Sequence, residues 1–219
     1  AGDDDLREPW DLVVDPNGTV FVIDSGRNLI VVLGPNGERR GEIGAGLGMF
    51  HPRGIAQDPS GNLVVADTGG NRVLRLRPNG ELITALGGRD NDLFNQPTGV
   101  AVDNAGNFYV VEPESARITR FGPDGQLAAS WPVPKADTRV APRVAITENG
   151  LIGTVIPGEG RLEVVAPTGQ VRGQTDLRQI AFFSPVRPFG LAIREQRAAI
   201  IDWTTGRVGI LDVAWPGGP

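Results

Sequence analysis

The sequence predicts an all-β chain, a β-propeller of five four-stranded antiparallel blades around one axis. Three observations predict it: a pattern that recurs five times, turn formers at two fixed places in the first four recurrences, and apolar alternation between the turns. The recurring segments are LVVDPNGTVFVID (12–24), IAQDPSGNLVVAD (55–67), VAVDNAGNFYVVE (100–112), VAITENGLIGTVI (144–156) and LAIREQRAAIIDW (191–203). Asp15, Asp58, Asp103, Thr147 and Arg194 occupy equivalent places, spaced by 43, 45, 44 and 47 residues.

Each element follows from local chemistry. DPNG, DPSG, DNAG and TENG reverse the chain, because Asp or Thr bonds the backbone two residues on and glycine takes a left-handed conformation. A second set of turns, GPNG (34–37), RPNG (77–80), GPDG (122–125) and APTG (166–169), reverses it again. One repeat is therefore four antiparallel strands. A lone sheet of that size leaves both faces wet, and stacking sheets around an axis buries both. A solenoid would need shorter repeats with parallel strands.

Composition limits the function. The chain of 219 residues reads as one domain, 1–219, with 31 glycines and 18 prolines and no long helical run. A formal charge of -5 disfavours nucleic acid and anionic lipid as partners. Cysteine is absent, which excludes disulfides, thiolate nucleophiles and zinc–thiolate or iron–sulfur centres. No stretch has the apolar length of a transmembrane segment. A start at Ala1 without methionine, together with the lack of cysteine, suggests an extracytoplasmic (periplasmic or secreted) protein.

The stretches HPRGIAQDPSGNLVVADTGGNRVLRLRPNGELITALGG (51–88) and PTGVAVDNAGNFYVVEPESARITRFGPDGQL (97–127) closely resemble NHL repeats. The resemblance spans residues 9–214, strong in repeats two and three and weak in four and five. It implies a propeller. NHL propellers include protein-binding, RNA-binding, sensor and lyase domains, so function has to be argued from the site.

The fifth repeat stops after VGILDV (208–213) without a fourth strand. The acidic segment 1–8 is the only candidate to close it, and residues 2–8 are expected to pair with 207–213. A six-bladed or open ring is the alternative.

Alignment turns single residues into columns. The second strand ends in an acid at Asp24, Asp67, Glu112 and Asp202. The third begins with Arg72, Arg117, Arg161 and Arg207, and Leu29 and Ile156 break the columns. A repeated structural Asp–Arg interaction is the preferred reading, and a ring of charge gripping a partner is the alternative. The residues ahead of each innermost strand are Trp10, Arg53, Thr98, Pro142 and Phe189, then Asp11, Gly54, Gly99, Arg143 and Gly190. These are expected at the mouth of a central channel. Trp10, Asp11, Arg53, Thr98, Arg143 and Phe189 form the candidate binding site, with an Asp11–Arg143 plug as the structural alternative. Phe50, Phe94 and Phe183 are expected to pack between blades, while Trp131 and Trp215 fit no column and are candidate surface anchors.

No catalytic set emerges. The amidating lyases that resemble this chain in fold hold a metal through several histidines, and this chain has only His51. Asp11 is the one carboxylate in the mouth columns, too few for a hard cation. The expectation is a non-catalytic module that binds a protein or peptide, in an assembly or as a sensor or scaffold domain, with no metal and no cofactor. The alternative is a lyase or lactonase acting at the channel mouth through Asp11, Arg53, His51 and Arg143.

Overall fold

A computed structural model describes residues 6–136, 138–147, 149–180, 188–194, 197–202 and 205–213. The chain divides into two compact units, Ala1–Gly106 and Asn107–Pro219.

In the first unit, β1 (Pro9–Val14), β2 (Val20–Asp24), β3 (Leu29–Leu33) and β4 (Arg39–Ile43) form one sheet in sequence order. β5 (Gly54–Gln57), β6 (Leu63–Asp67), β7 (Arg72–Leu76) and β8 (Leu82–Gly87) form the second. Their facing sides share one core of Phe21, Ile23, Ile30, Ile43, Met49, Ile55, Leu63, Val65, Leu74 and Leu76. Period-2 alternation puts these residues on the buried sides. β9 (Gly99–Val102) is the innermost strand of the third sheet, ordered β12-β11-β10-β9.

The second unit holds β10 (Phe108–Glu112), β11 (Arg117–Phe121) and β12 (Leu127–Pro132), then the fourth sheet of β13 (Arg143–Ile146), β14 (Ile152–Ile156), β15 (Arg161–Val165) and β16 (Val171–Asp176). β17 (Pro188–Arg194), β18 (Arg197–Asp202) and β19 (Arg207–Asp212) form the fifth. Tyr109, Val111, Ile118, Trp131, Val133, Ile152 and Val165 make one core, and Val155, Leu162, Val164, Leu177, Ala198 and Ile200 another. The fold is an all-β propeller of five antiparallel sheets.

All sheet pairings follow the repeat register. In sheets one to four a β-bulge falls at the same point of the outermost pair, at Val32/Leu33, Arg75/Leu76, Arg120/Phe121 and Val164/Val165. Such bulges twist the exposed outer edge and discourage further pairing. Of the proposed closing segment, residues 2–5 lie outside the described residues. Arg7 and Glu8 turn their amides onto the Asp24 carboxylate, each at 3.0 Å. Among the described residues β19 has β18 as its one neighbouring strand.

Two expectations about aromatic residues need correction. Trp131 is not a surface anchor: it is 7% exposed, lies opposite Ile118 on β12, and meets the Tyr109 ring edge-on at 6.2 Å. Phe50 does not pack between sheets: it is 54% exposed, whereas Phe94 is buried. The loop FHP is one residue shorter than FNQP, so Met49 takes the buried place equivalent to Phe94 and Phe50 is displaced outward. Phe183 and Trp215 lie outside the described residues.

Candidate functional site

In sheets one and two the acid at the end of the second strand holds the loop that leads into its own sheet. Asp24, Asp67, Glu112 and Asp202 are all fully buried. Asp67 accepts the Phe50 amide at 2.7 Å with one oxygen and the Arg72 Nε at 2.7 Å with the other. Arg72 then donates to the carbonyls of Leu47 and Gly48. Glu112 takes Arg117 in a two-point contact of 2.7 and 3.0 Å and also accepts from the Thr119 hydroxyl. Asp67 and Arg72, Glu112 and Arg117, and Asp202 and Arg207 are direct cross-strand pairs. Leu29 stands opposite Asp24, so that carboxylate is occupied by the two loop amides alone among the contacts above.

Two further columns escaped the sequence reading. The hydroxyl after the acid reaches the next sheet: Ser25 donates to the Pro52 carbonyl, and Thr68 to the Pro97 carbonyl at 2.7 Å. At the end of the same loop the backbone turns left-handed, at Asn28, Asn71, Ala116, Gly160 and Gly206. Asn tolerates that conformation better than most residues. Its side chain is put to use, for Asn28 accepts the His51 amide at 2.7 Å and Asn71 the Gln96 amide at 2.9 Å. DSGRN and DTGGN carried the signal, a hydroxyl and an Asn at fixed offsets from the acid.

The mouth columns resolve into two aromatic–arginine stacks, one in each unit. The Arg53 guanidinium lies over the Trp10 ring, 4.4 Å from its centre. Trp10 Nε1 donates to Glu8 at 3.0 Å. In the second unit the Arg143 guanidinium lies 4.6 Å over the Phe189 ring, and its Nε donates to the Phe189 carbonyl at 2.9 Å. Asp11 accepts the amides of Ile55 at 3.0 Å and Leu12 at 2.9 Å. Thr98 is buried. Gly54 lies where two innermost strands crowd: a Cβ there would stand 2.9 Å from Gly99 Cα and from the Thr98 carbonyl oxygen.

His51 is exposed at a left-handed φ of 48°, its ring edge-on to Phe50 with centres 4.6 Å apart. Among the described residues no group of three or more His, Asp or Glu side chains converges to hold a metal ion. A polar cleft of about 630 Å³ in the second unit is lined by Gly158, Glu159, Arg161, Gln174, Asp176 and Arg178. Arg161 there pairs with Glu159 and Glu163, and the two-point bond from Arg178 holds the Asp176 carboxyl below the usual range.

Asp58 shows what the first turn of a repeat demands. Burial pushes its carboxyl up, but donors from Asn62 and Arg75 outweigh this and hold it below the ordinary Asp value. The ionised form is thus favoured in the fold. Its contribution is complete above the unfolded carboxyl's range and is lost as pH falls through the folded value. Asp58→Asn is expected to cost about 1–3 kcal/mol at pH 7. In urea denaturation the gap from wild type should narrow as pH falls below the ordinary Asp range.

Comparison with known proteins gives the chain its relatives. The NHL repeat matches residues 6–33, 51–76 and 94–121. No curated protein matches in sequence. Among solved structures, a streptogramin B lyase is similar at 16% identity and TM-score 0.67, covering 95% of this chain and 70% of that one. A catalytically inactive H270A virginiamycin B lyase from Staphylococcus aureus, solved with quinupristin, is similar at 15% identity and TM-score 0.71, covering 96% and 68%. A protein of unknown function from Bacteroides caccae is similar at 14% identity and TM-score 0.69, covering 95% and 80%. At such identities the likeness is one of fold. No helix among the described residues is long and apolar enough to cross a membrane. Three NHL repeats matched within residues 6–121 and five antiparallel sheets on one register show a β-propeller that contains NHL repeats.

Proposed function

We propose that this chain is a binding module for a protein or peptide, and that its contact residues are the aromatic–arginine stacks of the innermost strands. The observation that carries the reading is the pair of stacks themselves, Arg53 on Trp10 and Arg143 on Phe189. Trp10 and Phe189 are half-buried, so each ring keeps surface for a ligand while an arginine holds it in place. Large rings pre-ordered in this way lose little freedom on binding, which is why aromatic and Arg side chains dominate interface hot spots. The Asp11 carboxylate, which an acid–base mechanism at this place would use, already accepts two backbone amides. We extend the reading to an extracytoplasmic sensor or scaffold, on the cysteine-free sequence.

Selection from a random peptide library tests this. Enriched peptides should lose about tenfold or more in affinity on Trp10→Ala or Phe189→Ala, and be unaffected by Leu82→Ser on an outer strand. Peptides that ignore both ring substitutions would end the assignment. A lyase or lactonase reading draws on the fold shared with the streptogramin lyases. It requires turnover that depends on His51 or a stoichiometric, tightly held divalent ion in the purified protein.

A further inference from the structure

In sheets two and three the arginine that begins the third strand gives its Nε to the buried acid across the strand pair, Arg72 to Asp67 and Arg117 to Glu112, each at 2.7 Å. In sheet four the residue opposite Arg161 is Ile156, a buried hydrocarbon. Asp176 faces Arg161 across the other strand pair, but its carboxylate is taken by Arg178 at 2.8 and 2.9 Å. Arg161 is left with Glu159 and Glu163, and both pairs fall on one terminal nitrogen, Nη2, at 2.7 and 2.9 Å. Its Nε is buried and has no hydrogen-bond partner. A buried donor in that state is uncommon. The nitrogen that holds a carboxylate in two sister sheets is thus without one in sheet four.

Arg161 also lines the polar cleft of about 630 Å³, a size usual for small-molecule sites. The walls of the cleft all belong to sheet four and the turns at its ends, so its shape is set within that one sheet. Glu159 stands in the short turn Pro157–Glu159. The stem of Arg178 lies against Gly160, where an added Cβ would be 2.9 Å from its Cγ. The lining charges balance: two guanidiniums, Arg161 and Arg178, and two carboxylates, Glu159 and Asp176. Among the described residues no aromatic or aliphatic side chain lines it, which disfavours stacked rings and apolar ligands. A lone anion would meet the two carboxylates, and a lone cation the two guanidiniums. A small zwitterion matches both signs.

We propose that this cleft binds a free amino acid, its carboxylate taken by the Nε–Nη2 fork of Arg161 and its ammonium by Glu159. Binding is an exchange of partners. The Arg161–Glu159 pair is partly exposed, so opening it costs little. The guanidinium then gains a two-point carboxylate contact, the geometry its fork favours, and Nε is satisfied. Glu159, released, accepts the ligand ammonium in place of Nη2, and every charge keeps a partner. The inference goes beyond the binding reading, which stands on the aromatic–arginine stacks, and the two fail separately.

Titration of single L-amino acids into isotope-labelled protein tests it, followed by NMR through backbone amides and arginine Nε–H signals. At least one amino acid should saturate with a Kd of about 1 mM or tighter. The Arg161 Nε–H signal and the amides of 158–161 and 174–179 should move. Glutarate, which has carboxylates alone, and putrescine, which has amines alone, should each bind about tenfold more weakly or worse. Arg161→Met should weaken the amino acid about tenfold or more. Arg161→Lys, which keeps the charge without the fork, should not restore it, and Glu159→Gln should weaken it too. Thermal melts matched to wild type show which variants are folded, and Arg161→Lys decides should the methionine variant not fold. The proposal is overturned if no amino acid saturates, if glutarate or putrescine binds as tightly, or if affinity ignores Arg161. Shifts centred on Trp10 and Phe189 in place of the cleft overturn it as well, because the amino acid would then sit at the aromatic–arginine stacks.

Discussion

Replacing Arg72 with methionine should lower the free energy of unfolding by about 3–5 kcal/mol, the range for removing one partner of a buried ion pair. The apolar stem is kept, so the loss reports the charge and its hydrogen bonds. Asp67 is fully buried and would keep only the Phe50 amide of the contacts described, while the loop at Leu47 and Gly48 would lose both its tethers. The double variant Asp67→Asn with Arg72→Met should recover part of the loss, since no uncompensated carboxylate remains. Arg197→Ala, which breaks a pair whose side chains are 72% and 87% exposed, should change stability by no more than about 0.5 kcal/mol. Urea midpoints at pH 7, with the denaturant slope unchanged, separate the cases. A cost below about 1 kcal/mol for Arg72→Met would show that water reaches the carboxylate.

Gly54→Val should be nearly as damaging, at about 3 kcal/mol, and Gly54→Ala should cost about 1–3 kcal/mol. The reason is contact with backbone. The nearest atoms to a new Cβ would be Gly99 Cα, the Thr98 carbonyl oxygen and the Val100 nitrogen, at 2.9, 2.9 and 3.1 Å. No rotamer change can clear them, so β5 and β9 would have to separate. Gly158, whose added Cβ would meet nothing within 4 Å, is the control and should tolerate alanine. Thermal melts of the three variants rank the effect.

The two results bear on function, because both residues position the innermost strands. Arg53 stands beside Gly54, and Ile55, whose amide binds Asp11, follows it. A shift of β5 would move Arg53 off the Trp10 ring. Loss of peptide affinity in a still-folded Gly54→Ala would therefore report geometry, while the same loss in Trp10→Ala would report the contact itself.

Much of the acid–arginine arrangement could be read in advance, because aligned repeats put Asp67 with Arg72 and Glu112 with Arg117 at constant offsets. What each acid holds could not. The loop amides on Asp24 and Asp67 come from residues whose place depends on loop length, and the one-residue difference between FHP and FNQP also misassigned Phe50. Trp131 failed for a related reason. It lies on an outermost strand, where the repeat pattern is weakest, and its burial depends on Tyr109 and on the neighbouring sheet. Ser25, Thr68, Asn28 and Asn71 were within reach, since their offsets repeat, but a hydroxyl or amide in a glycine-rich loop reads as ordinary turn chemistry.

By itself the sequence determined the number of sheets, their strand order and the position of nearly every reversal. Those are set by interactions within a few residues, an Asp on its own turn or a glycine at positive φ, and by a period of two along each strand. The tertiary structure alone decided which faces are covered within each unit and which rings carry an arginine. Burial is a property of residues far apart in the chain, and identical strand patterns acquire different fates according to what packs on them.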